Sequence, residues 1–145
     1  MNQAANTARP YHEVYSGWHS GLIQWADYEA VMAVVAARPE GWYVYDTREP
    51  PPMAPVAAPD LPGRLAAIDK TLRDSHRADY CGFVYVDDRA NPTMVKVYNP
   101  RNASACGSAE APVPLFTLSR MQPEALPFEP AHAARPGLVA RLFGG

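Results

Sequence analysis

The chain of 145 residues has few lysines, few cysteines and no long apolar run, and each shortage removes a class of function. Only Lys70 and Lys96 among its 13 basic residues are lysines, and the 15 acidic residues are interleaved with the basic ones to give a net charge of −2. No run of five like charges exists. A nucleic-acid partner is therefore not expected, because it requires clustered cations that displace phosphate counterions. The longest apolar stretch, 31–37, is too short to span a bilayer, so no membrane partner is expected either. The opening MNQAANTARPYHEVYSGWHS lacks the positive segment and apolar core of a secretory signal, and the chain reads as cytoplasmic. There Cys81 and Cys106 are expected to be reduced, and two cysteines alone cannot complete a structural zinc site. His12, Glu13 and His19 share one segment but have no HExxH or CxxC spacing, so no metal and no cofactor is expected.

Proline, by contrast, is abundant: 16 residues, about twice the usual share, beside an ordinary 48% hydrophobic fraction. Much of the chain must be irregular and extended, with a core smaller than the length suggests. Residues 1–10 are small and polar and read as a flexible arm. The segment 11–25 carries Tyr11, Tyr15, Trp18 and Trp25 at spacings irregular for a strand, and reads as a clasp over its own core or over a partner. Asp27 suits the N-cap of a helix over 28–38, in which Tyr28, Val31, Met32 and Val35 form one apolar stripe. WYVYD (42–46) has strand composition. The proline-rich traverse 47–62 excludes regular structure. Asp60 and Pro62 then open a second helix to about Ser75, with Leu61, Leu65, Ile68 and Leu72 on one face.

YCGFVYV (80–86) and MVKVYNP (94–100) flank the turn cluster DDRANP and form the clearest hairpin. Facing Tyr85 with Val95 sets Phe83 against Val97 and Cys81 against Asn99 on the core side, while Gly82 meets Tyr98 and Val84 meets Lys96 on the other. PLFTLSRM (114–121) adds a third strand of a meander. Together these predict an α+β fold: a mostly antiparallel four-stranded sheet with two helices on one face, proline-rich connections and irregular tails. The domain is expected over 11–121, followed by a proline-rich extended tail over 122–145.

Two places in the sequence admit chemistry. The loop NPRNASACGSAEAPV (99–113) is rich in small residues, Asn and Gly, a composition that turns backbone amides toward a ligand, although it has neither the GxGxxG nor the P-loop spacing. Cys106 is a candidate nucleophile there if His12, His19, His76 or His132 reaches it in space. Cys81, within a strand, reads as packing. Asp87 and Asp88 are adjacent on a strand end and point apart, so they read as the polar start of the turn. The chain ends GLVARLFGG, in which Leu138, Val139, Arg141, Leu142, Gly144 and Gly145 resemble the tail of ubiquitin-like carriers. The resemblance covers only the last eight residues and implies modification at Gly145. In that family the hairpin precedes the helix, whereas here it follows two.

Aromatic and proline-rich segments lose little entropy on docking, which suits a surface that binds another protein. The sequence is therefore read as a non-catalytic accessory or interaction module for a larger protein, with binding residues Trp18, Tyr98, Asn99, Arg101, Asn102 and Gly107. A small enzyme using Cys106, or a diglycine-tailed carrier, is the competing reading.

Overall fold

A computed structural model describes residues 10–75, 81–99 and 113–126. In chain order they form α1 (Tyr11–Tyr15), β1 (Ser20–Gly21), α2 (Trp25–Ala37), β2 (Tyr43–Asp46), a short 3-10 turn (Ala58–Asp60) that runs into α3 (Leu61–Ser75), then β3 (Val84–Val86), β4 (Met94–Val97) and β5 (Phe116–Ser119). The strands make one sheet in the order β1-β3-β4-β5-β2, with every neighbouring pair antiparallel. The α+β class is as expected, but the sheet has five strands instead of four. The extra one, β1, is two residues long. Alternation needs more residues than that to leave a trace in sequence.

Both long helices cover one sheet face. Tyr28, Val31, Met32 and Val35 from α2 and Leu61, Leu65, Ile68 and Leu72 from α3 pack with Val84, Val86, Val95, Val97 and Leu118. Each such aliphatic side chain contributes roughly 1.5–3 kcal/mol by leaving water. Helix α2 starts earlier than Asp27. Its N-cap is Gln24, and Asp27 occupies the third helical position, where its carboxylate accepts the Gln24 backbone N–H at 3.4 Å in a capping box. Asp27 thus marks the first turn but does not cap it. Helix α3 spans the expected range.

The hairpin β3–β4 is present, but in a register one residue away from the expected one. Tyr85 pairs with Lys96, Val84 with Val97 and Val86 with Val95. The reason is Gly82, whose φ of 88° breaks the extended run before β3. Alternation restarts at Val84, so the neighbours Phe83 and Val84 both enter the main core. Phe83 and Val97 lie inside as expected, whereas Tyr85 turns to the opposite face.

That opposite face is also covered. Tyr11 and Val14 of α1 pack with Tyr45 and Met94, with Tyr15, Met121 and Leu126 around them. The Tyr11 hydroxyl shares a hydrogen bond of 2.8 Å with Thr117 Oγ1. All four residues of β5 are consequently buried, polar ones included. Ser119 resolves its own burial by donating to the Met121 carbonyl at 2.7 Å.

Candidate functional site

The covered face opposite α2 and α3 holds the chain's most unusual side chain. β4 is the central strand of the five, and Lys96 projects from it on the α1 side, between Tyr85 of β3 and Thr117 of β5. Helix α1 lays the Tyr15 ring over the ammonium, with Nζ 4.0 Å from the ring centroid. Burial pulls the Lys96 pKa down to about 8. Among the described residues no carboxylate pairs with it. The Tyr15 hydroxyl, itself pushed up chiefly by burial, hydrogen-bonds Tyr98, and the Tyr98 ring meets Tyr85 edge-on at 5.6 Å.

His19, in the turn leading to β1, completes this face. Its Nδ1 lies 3.0 Å from the Gly17 carbonyl. A carbonyl only accepts, so Nδ1 carries the proton and the neutral ring presents a lone pair at Nε2. Burial and then the Lys96 charge hold His19 below the ordinary histidine range. Nε2 is buried with no hydrogen-bond partner among the described residues, and so is Ser16 Oγ at the end of α1.

Of the binding residues expected from sequence, Tyr98 and Asn99 follow β4, both half-buried, and Trp18 stands in the turn between α1 and β1 with 77% of its surface exposed. An aromatic ring shields Gly21, where an added Cβ would lie 3.1 Å from Tyr85 Cε2. Arg101, Asn102, Cys106 and Gly107 lie outside the described residues, as do His76, His132 and the tail that ends in Gly144 and Gly145. Cys81 is buried in the main core, where burial raises its thiol pKa. His12 and His19 are not brought into a ligand set: His12 faces Glu124 at 3.7 Å, and among the described residues no cluster of three or more His, Cys, Asp or Glu exists.

Asp87 and Asp88 build the hairpin turn. Asp87 Oδ1 accepts the backbone N–H groups of Thr93 at 2.9 Å and Met94 at 3.0 Å, while Oδ2 accepts the Thr93 hydroxyl. Asp88 Oδ1 accepts the N–H groups of Ala90 and Asn91. A shallow groove of about 360 Å³ lies on the far side of the molecule, between α2 and α3, lined by Tyr28, Met32, Pro62 and Leu65 with Glu29 and Asp69 at its margin. Arg73 bridges both carboxylates, at 2.9 Å to each.

Sequence reasoning missed Lys96. The available trace was a lysine between two valines in the strand at the middle of the sheet, a position where charge is normally excluded. The chain matches no protein family, no curated protein and no solved structure. Among the described residues no helix is long and apolar enough to cross a membrane.

Proposed function

We propose that the protein is a non-catalytic accessory module that docks a larger protein through the β1 end of its sheet. The observation that carries this reading is Trp18: three of the four aromatics in its segment, Tyr11, Tyr15 and Trp25, pack wholly or partly against the two cores, and Trp18 alone stands exposed. Ile23, on the other side of β1, is 54% exposed. Tryptophan is the residue most enriched among those that dominate binding energy at protein interfaces.

The edge itself favours docking by side chains over addition of a strand. Arg89 Nη2 donates to the outward-facing Gly21 carbonyl at 3.1 Å and lies 3.4 Å from Ser20 Oγ, and its Nη1 lies 3.5 Å from Asp27. An incoming strand would have to displace that guanidinium.

The test is co-purification of the untagged protein from its native cells. A stoichiometric larger partner is expected with the native chain, lost with Trp18→Ala, and retained with Cys106→Ser and after removal of Gly144 and Gly145. A partner retained undiminished by Trp18→Ala, or lost with Cys106→Ser, overturns the reading.

A further inference from the structure

The side of the sheet beneath α1 contains three polar groups that the described part of the fold leaves unanswered. Lys96 Nζ faces the Tyr15 ring and no carboxylate; Ser16 Oγ and His19 Nε2 are buried without partners. All belong to one locality, since Ser16 directly follows the residue that lies over Lys96, and His19 is close enough to Lys96 for their charges to interact. Buried polar groups are almost always satisfied, so two unpartnered ones beside a cation that no carboxylate pairs with indicate something that the described residues do not supply.

We propose that Lys96, His19 and Ser16 form a binding site for a small oxyanion, a carboxylate or a phosphate. The ammonium provides the charge, the serine hydroxyl a donor, and His19 a second donor once Nε2 takes up a proton. Its Nδ1–H remains directed at the Gly17 carbonyl, so the ring is already oriented for this role. The Tyr15 ring lies over the ammonium and Tyr85 is its cross-strand neighbour, and partial burial beside them strengthens the attraction between the bound charges.

The other charged groups on the surrounding elements do not supply this anion. Asp87, directly after β3, interacts with His19, but both its carboxylate oxygens are held by Thr93 and Met94 in the hairpin turn. Glu124 faces His12. Glu13 on α1 is exposed. The tyrosines Tyr11 and Tyr15 are pushed up by burial and stay neutral.

Anion binding must raise the proton affinity of Lys96, because the anion prefers the charged form. The chain has only two lysines, so a protein labelled with carbon-13 lysine gives two Cε resonances, which Lys70→Arg assigns. The probes are acetate and inorganic phosphate, added separately while both lysines are titrated. The Lys96 midpoint is expected to rise with at least one probe, by about tenfold in proton affinity when the probe reaches about ten times its Kd, while Lys70 shows ionic screening alone. A response to acetate only identifies a carboxylate site, and a response to phosphate only a phosphate site. His19→Ala and Ser16→Ala are each expected to weaken the response in a protein that remains folded. If neither probe moves Lys96 further than Lys70, the proposal fails, and this outcome is read on the native chain without any variant. Loss of the Trp18-dependent partner would leave the titration untouched, so the two readings fail separately.

Discussion

Lys96 carries the sharpest consequence for pH. Its folded pKa of about 8 lies below the ordinary lysine value of 10.5, so between these limits the unfolded chain keeps a proton that the native state has released. Stability therefore increases as pH rises through that window, and the cost of burying the charge is greatest below it. The shift corresponds to roughly 3 kcal/mol at most, and the contact with Tyr15 offsets up to about 2 kcal/mol of that cost. Lys96→Met is expected to be more stable than the native chain by about 1–3 kcal/mol at neutral pH. The gap should close as pH approaches 10.5. Urea unfolding of both proteins at two pH values measures it. Taking the difference cancels the opposing effect of Cys81, whose raised pKa lowers stability at high pH. A gap independent of pH would mean that Lys96 has the same proton affinity in the folded and the unfolded chain.

The individual elements differ in how openly the sequence announces them. Helix α3 was legible almost to the residue, because Leu61, Leu65, Ile68 and Leu72 recur at helical spacing and proline stands near its start. The strands were legible as apolar runs, but their register was not. A single positive φ at Gly82 brings Val84 into the core and moves Tyr85 to the other face beside Lys96, and no pattern of hydrophobicity encodes that angle. Gly82→Ala is expected to destabilise the protein by about 1–2 kcal/mol, because a Cβ is strained there. Asp87→Ala removes one carboxylate that closes the hairpin through three donors and should lower stability by roughly 2–3 kcal/mol, with Asp87→Asn less damaging. Chemical denaturation of the three variants checks both figures. The proline-rich stretch 47–62 is irregular as far as Ala57, with Val56 N–H bound to the Trp42 carbonyl at 2.8 Å, but its last residues form the 3-10 turn and the start of α3.

At the scale of the molecule, the sheet lies between two layers, not under one. The sequence offered α2 and α3 plainly, but a five-residue α1 carries too few positions for a helical period to emerge. Its aromatics were legible as a clasp, and what they clasp is their own sheet. Tyr11 and Trp18 of that segment should differ sharply in their response to substitution. Tyr11→Ala leaves a cavity at a fully buried site and strands the Thr117 hydroxyl, and is expected to reduce stability by about 3–5 kcal/mol. Trp18→Ala touches an exposed ring and should alter the melting free energy by no more than about 0.5 kcal/mol. Thermal unfolding distinguishes them, and a large loss with Trp18→Ala would show that this ring supports the fold.

The bond between Tyr11 and Thr117 closes a separation of 106 residues. On the ribosome the tyrosine emerges many seconds before its partner, given elongation at roughly 5–20 residues per second. Until β5 arrives, Tyr45 and Met94 have no completed sheet for α1 to cover, so the first of the described helices to be synthesised is among the last pieces to settle. Nascent chains stalled before residue 116 should accordingly leave Tyr11 open to protease, and chains released past residue 126 should protect it.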